Sequence, residues 1–212
     1  MLRYTHWFWD FDGTLFDTYP RVVRAFQKGL RLKGIGVSDD EVLRLVKITL
    51  GHAAQTLGRD EAEREELLRL YFANAEGEGP EGLIAYPGAA DVLHKVVRLG
   101  SRNYLYTHRD RSGPEALALR GLEGLFVDMV THEHSFPHKP APDALLHLIE
   151  KHALSPADCV MVGDRPIDVD AAHNAGIDSI LFDPDGFYPD YPASHRFRSF
   201  AEMLEGLRNS RQ

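Results

Sequence analysis

Apolar residues fall into two rhythms along this chain. Short β-prone runs at residues 4–9, 103–107, 125–130, 159–162 and 179–182 predict strands. Between most of them the period lengthens to that of a helix, over residues 87–99, 142–152 and 167–175. Strands alternating with helices imply right-handed crossovers and a parallel sheet, here an α/β, doubly wound, Rossmann-like core. Such sheets bind ligands beyond the carboxyl ends of their strands.

The alternation fails between the first two strands, where residues 19–74 read as helix after helix. This is expected to be an inserted all-α domain, with residues 1–16 and 87–212 forming the core and residues 17–86 the insert. Its first helix carries Val22, Val23, Phe26 and Leu30 on one side and Arg21, Arg24, Lys28 and Arg31 on the other. That basic stripe reads as a solvated face, with the lining of a cleft for a multiply anionic substrate as the alternative. Ser38, three residues before Glu41, is placed to cap a second helix. Gly34-Ile35-Gly36 has no strand before it, so it reads as a helix-ending turn and not a dinucleotide loop. Residues 76–82, EGEGPEG, read as a flexible return linker.

Composition narrows the partners. With 212 residues, 43% of them hydrophobic, the chain can bury one substantial core plus a smaller unit. A net charge of −8 without a Lys/Arg run argues against nucleic-acid and membrane partners, which are gripped by clustered cations. The single cysteine, Cys159, excludes an internal disulfide and lies in an apolar run, as expected for a core residue of a cytoplasmic protein. No apolar run approaches a membrane span, and MLRYTH lacks a signal-peptide pattern, so a soluble, unexported protein is expected.

The chemistry concentrates at the strand ends. In WDFDGTLFD, residues 9–17, Asp10 and Asp12 follow an aromatic strand two residues apart, where alternation points both carboxylates the same way. Like charges so placed need a cation between them, or one must keep its proton. Thr107, Lys139, Asp164 and Asp168 also fall at or just beyond predicted strand tips.

WDFDGTLFD, YTHRD, HKPAPDAL and VGDRPIDVDAAHNAG, in this order, resemble the four motifs of the haloacid dehalogenase superfamily. The insert resembles the helical cap of its phosphoglycolate-phosphatase-like and β-phosphoglucomutase-like branch. The resemblance implies a Mg²⁺-dependent phosphatase acting on a small phosphorylated metabolite. Phosphate monoesters hydrolyse very slowly in water, so the site must supply a nucleophile, charge neutralisation and a proton for the leaving oxygen. On this resemblance Asp10 attacks phosphorus and forms an aspartyl-phosphate, while Asp12 serves as acid and then base. The implied Mg²⁺ ligands are Asp10, Asp164 and the backbone carbonyl of Asp12. Thr107 and Lys139 hold the transferring oxygens, and Asp168 orients Lys139 or a metal-bound water. Gly13 permits the tight turn and the Thr14 hydroxyl fixes the loop.

Three residues depart from the family's usual wording: His108 after the motif threonine, His138 before Lys139, and Arg165 after Asp164. They hint at an unusual leaving group, and His108 is a candidate substrate contact, with neutral drift as the alternative. His52, in what reads as a loop between two cap helices, is a second candidate. His132, His134 and His138 are close in sequence but fit no standard zinc spacing. A phosphomutase of the β-phosphoglucomutase type uses the same chemistry and remains an alternative. A phospho-receiver-like signalling module is an alternative of another class, disfavoured by Asp12 and the insert. A dehalogenase is disfavoured by Asp12.

Overall fold

A computed structural model of the chain describes residues 2–75 and 79–208. Glu76, Gly77 and Glu78 of the expected linker lie outside these residues. The chain divides into two compact units, residues 1–17 with 80–212, and residues 18–79.

The elements of the chain are, in order, β1 (His6–Trp9), β2 (Phe16–Asp17), α1 (Tyr19–Leu32), α2 (Asp39–Ile48), α3 (Leu50–Leu57), α4 (Glu61–Ala75), β3 (Ile84–Ala85), α5 (Ala89–Arg98), β4 (Arg102–Tyr106), α6 (Ser112–Ala118), β5 (Phe126–Val130), α7 (Asp143–Lys151), β6 (Cys159–Gly163), α8 (Pro166–Asn174), β7 (Asp178–Phe182), β8 (His195–Phe197) and α9 (Phe200–Arg208). The main sheet has six strands in the order β5-β4-β1-β6-β7-β8, and every neighbouring pair is parallel. The chain starts at β1, builds outward through β4 and β5, then returns to the other side with β6. Because the order reverses at β1, the crevice beyond its carboxyl end is where a ligand fits.

Alternation along β1 explains the two-sided core. Trp7 and Trp9 stack at 5.6 Å on one face, among Val92, Leu93, Val96, Phe200 and Met203 of α5 and α9. Phe8 points the other way, into a cluster with Leu145 and Leu148 of α7 and Ala171 and Ala172 of α8. Each such apolar side chain withdrawn from water contributes about 1.5–3 kcal/mol, so β1 is fixed firmly just before its acidic end.

The structure extends the sequence reading at three places. Residues 80–86, expected in the insert, join the core unit: β3 pairs antiparallel with β2, and the Arg120 guanidinium donates to the carbonyls of Pro80, Glu81 and Leu83. Two residues per strand leave too short an alternation to read in advance. The edge strand β8, whose three residues are all half-buried, and helices α6 and α9 were likewise not foreseen.

The second unit is all-helical. Val23, Phe26 and Leu30 of α1 pack with Val42 and Val46 of α2, Ala53 and Ala54 of α3 and Leu67 of α4. Ser38 Oγ accepts from the Glu41 amide at 3.2 Å and caps α2. Arg24, Lys28 and Arg31 are exposed, which fits a solvated face, while Arg21 is half-buried and donates to the Gly79 carbonyl at 3.3 Å. Among the described residues no helix is long and apolar enough to cross a membrane.

Candidate active site

Strand β1 ends at Trp9, and a tight turn follows. Gly13 has φ +76°, which glycine adopts without the strain a Cβ brings. Its amide donates to the Phe16 carbonyl at 2.8 Å, and the Phe16 amide donates to the Phe11 carbonyl at 3.0 Å. The Thr14 hydroxyl, expected to fix this loop, is buried with no hydrogen-bond partner among the described residues, so the backbone bonds hold the turn.

This turn ends the strand alternation on which the expectation for Asp10 and Asp12 rested. Strand alternation stops at Trp9, and each carboxylate takes a separate cation. Asp10 is 2% exposed and its Oδ1 accepts from Lys139 Nζ at 2.7 Å. Asp12, at the rim, is bound by Arg109, whose Nη2 donates to Asp12 Oδ1 at 2.6 Å. The like charges are therefore separated by a divided pair of partners.

Lys139 is buried and saturated. Its ammonium donates to Asp10 Oδ1 and Asp168 Oδ1, both at 2.7 Å, and to the Tyr106 carbonyl at 3.1 Å, with the Tyr106 ring 4.5 Å below. Burial alone would lower its affinity for a proton, but Asp10 and Asp168 outweigh burial and hold it above the usual lysine value. Asp168 also accepts from the Arg165 amide at 3.1 Å through Oδ2. Burial pushes its carboxyl up, yet Lys139 and Arg165 bring it below the ordinary range. Asp10 goes the other way: burial pushes it up to about 7 against the pull of Lys139, with Asp168 adding repulsion. One ammonium cannot neutralise two buried carboxylates, so one anion remains to be balanced.

Asp164 follows Gly163 at the tip of β6 and is fully buried, with Oδ1 3.9 Å from Arg165 Nε. Carboxylate oxygens of Asp10, Asp164 and Asp168 lie within 4.8 Å of one another. Asp10 Oδ2 is buried without a hydrogen-bond partner among the described residues. Three hard oxygen donors, one of them unsatisfied and carrying excess negative charge, suit a hard divalent cation. Both oxygens of Asp168 already accept hydrogen bonds, which leaves Asp10 and Asp164 as the better ligands.

Gly163 makes this packing possible. A Cβ there would meet Asp168 Cβ at 2.2 Å. Gly163→Ala is therefore expected to cost about 1–3 kcal/mol of stability by overpacking and to misplace Asp168. Thermal melting checks the first effect; an unchanged melting temperature would refute it.

Thr107 is buried just past β4, one residue beyond the Tyr106 carbonyl that binds Lys139. Its amide donates to the Val130 carbonyl at 3.0 Å, which leaves the hydroxyl as its group for phosphoryl oxygens. Its hydroxyl accepts from the Arg109 amide at 3.1 Å and keeps its own proton to donate. His108 Nε2 accepts from the Lys139 amide at 3.0 Å, so in the neutral ring the proton is on Nδ1. Burial, aided by Lys139, drives its pKa down to about 3. His108 thus pins the lysine loop as an uncharged acceptor.

The His138 ring lies 4.4 Å from that of His108 and 5.6 Å from that of His132. His134 Nδ1 accepts from the Thr131 amide at 3.1 Å. Among the described residues the histidines form no metal-holding group; the aspartate cluster does. His52, expected in a loop, lies in helix α3, where its amide donates to the capping Thr49 Oγ1 at 2.8 Å. Arg109 lies within the YTHRD motif, but a lone charged residue after a strand has no periodic signature that marks it as a site residue.

Comparison with known proteins gives this geometry its family. The sequence pattern of haloacid dehalogenase-like hydrolases matches residues 8–182. The chain is 32% identical over 179 residues to a phosphoglycolate phosphatase of Vibrio vulnificus strain CMCP6, covering 79% of this chain and 78% of that one. It is 32% identical over 186 residues to hexitol phosphatase A of Escherichia coli K12, covering 82% and 81%. A solved hydrolase from Streptococcus pneumoniae TIGR4 is similar at 33% identity and a TM-score of 0.65, covering 85% of this chain and 93% of that one. The buried aspartates and lysine thus lie within the matched residues 8–182 of a chain that belongs to the haloacid dehalogenase-like hydrolases, in their phosphoglycolate-phosphatase-like branch.

Proposed function

We propose that this enzyme hydrolyses a small aliphatic phosphate monoester through a phosphoryl group carried on Asp10, with Mg²⁺ as cofactor. The observation that supports it most is the buried Asp10–Lys139–Asp168 group with its unsatisfied Asp10 oxygen. The names of the relatives, a phosphoglycolate phosphatase and a hexitol phosphatase, share a phosphate ester of a small hydroxyl compound.

Mg²⁺ would be held by Asp10, Asp164 and the backbone carbonyl of Asp12. When bound it supplies positive charge to the carboxylates and the transferring oxygens. The chain's own residues do the rest. An Asp10 oxygen forms a bond to phosphorus as the bond to the leaving oxygen breaks. Lys139, fixed by three acceptors, offers the positive charge toward which phosphoryl oxygens turn, and the Thr107 hydroxyl offers a donor. Asp12 gives its proton to the departing alkoxide and later takes one from the water that opens the acyl phosphate.

Release of inorganic phosphate from a panel of phosphorylated metabolites with Mg²⁺ tests this reading. Conversion of a hexose 1-phosphate to the 6-phosphate without phosphate release would favour the mutase alternative. Stable phosphorylation without turnover would favour the receiver alternative, which the hydrolase relatives already disfavour. Asp12→Asn is expected to lower kcat by roughly 10²–10⁴-fold while leaving Mg²⁺-dependent thermal stabilisation intact. Normal turnover by that variant would remove Asp12 from the mechanism.

A further inference from the structure

Asp12 is held by a fork of hydrogen bonds from one arginine. Arg109 Nε donates to both of its oxygens, at 3.1 and 3.2 Å, and Nη2 adds a bond of 2.6 Å to Oδ1. The arginine is itself fixed at both ends. Its amide donates to Thr107 Oγ1 at 3.1 Å and its carbonyl accepts from the His132 amide at 3.0 Å. Its guanidinium lies 5.4 Å over the Phe11 ring and donates to Ser112 Oγ at 3.3 Å. Gly113 lies against its stem, where a Cβ would come within 3.5 Å of Arg109 Cδ.

The side chains of Arg109 and Asp12 are 24% and 34% exposed. The pair is half-buried and forked, so it adds to stability and at the same time holds the carboxyl in one orientation. Three of the guanidinium's hydrogen bonds go to the two oxygens of Asp12, and a forked guanidinium fixes the plane of a carboxylate as well as its position.

We propose that Arg109 is a positioning residue that sets the orientation of the Asp12 carboxyl for proton transfer to a poor leaving group. The proposal rests on the phosphatase reading above. As the ester P–O bond breaks, its electron pair goes to the leaving oxygen, which takes the proton of Asp12. The carboxylate so formed stays aligned by Arg109, which neither gains nor loses a proton. Water then gives its proton to Asp12 as it opens the phosphoryl–Asp10 bond.

Two aryl esters whose leaving groups differ in basicity separate this role from a structural one. p-Nitrophenolate leaves without a proton, whereas phenolate from phenyl phosphate benefits from one. Values of kcat/KM report the steps up to phosphoryl transfer and are independent of dephosphorylation once the first alcohol has left. Arg109→Gln is expected to lower kcat/KM for phenyl phosphate by about 10–100-fold and that for p-nitrophenyl phosphate by less than about threefold, part of the acid's own 10²–10⁴-fold contribution. Arg109→Lys, which keeps the charge and loses the fork, should fall between wild type and Arg109→Gln on phenyl phosphate. Adding Arg109→Gln to Asp12→Asn should cost nothing further, because the group it positions is gone. Equal losses on both esters, no loss on either, or full additivity with Asp12→Asn overturns the role of Arg109 alone. Wild-type enzyme inactive on both esters with Mg²⁺ overturns the phosphatase reading and this proposal with it.

Discussion

Asp10→Asn is expected to reduce phosphatase turnover by roughly 10⁴-fold or more, the scale seen when a nucleophile is removed from an otherwise intact site. The fold should survive, because asparagine has nearly the same volume and its side-chain oxygen still accepts from Lys139. The variant also probes the electrostatics. In metal-free protein burial pushes Asp10 from 3.8 up to about 7, so the folded state holds a proton that the unfolded chain has already released. A raised carboxyl pKa stabilises the fold most below the unfolded value, and that contribution is lost as pH rises toward 7. The buried neutral His108 contributes in the opposite direction over the same range and is common to both proteins, so the Asp10 effect is read as a difference: the melting temperature of metal-free wild type relative to Asp10→Asn should fall between about pH 4 and 7. Wild-type rates in the variant would exclude Asp10 as nucleophile; an unchanged pH slope would exclude it as the buried group that titrates.

Lys139→Met should damage both stability and catalysis. The ammonium lies between Asp10 and Asp168, and its side chain is wholly buried. Removing one partner of a buried ionic group leaves the others uncompensated, at a cost of about 3–5 kcal/mol. At roughly 2–4 °C per kcal/mol for a chain of this size, the melting temperature should drop by about 6–20 °C. Adding Asp168→Asn removes one of the two stranded charges and should recover a large part of that loss without restoring turnover. Calorimetry on the single and double variants decides it. If the double variant is no more stable than the single one, the charge argument is wrong and the loss is one of packing.

The halves of this protein differ in how readily they are read from the chain. Apolar period alone placed β1, β4, β5, β6 and β7 to within a few residues; β1, β4, β6 and β7 are buried on both faces and so nearly apolar throughout, while β5 at the sheet edge is only partly buried. The helices α5 and α7 and the first two helices of the insert, α1 and α2, were equally plain, since one-sided burial imposes the 3.6-residue repeat, whereas α3 spans residues expected to form a loop. Elements of two or three residues, such as β2, β3 and β8, carry too little pattern to be seen, and hydrogen bonding from distant segments forms them.

Residue order also identified Asp10, Asp12, Thr107, Lys139, Asp164 and Asp168 as candidates, because polar residues at the tips of apolar strands stand out against their surroundings. Their pairing was not legible. Lys139 reaches Asp10 and Asp168 across gaps of 129 and 29 residues, and Arg109 reaches Asp12 across 97. Tertiary structure alone decided that the two neighbouring aspartates turn to different cations, that His108 is an acceptor held uncharged, and that Gly163 must lack a side chain. Periodicity records which face of an element is buried; which charge meets which depends on distances that arise only when the strand ends are brought together.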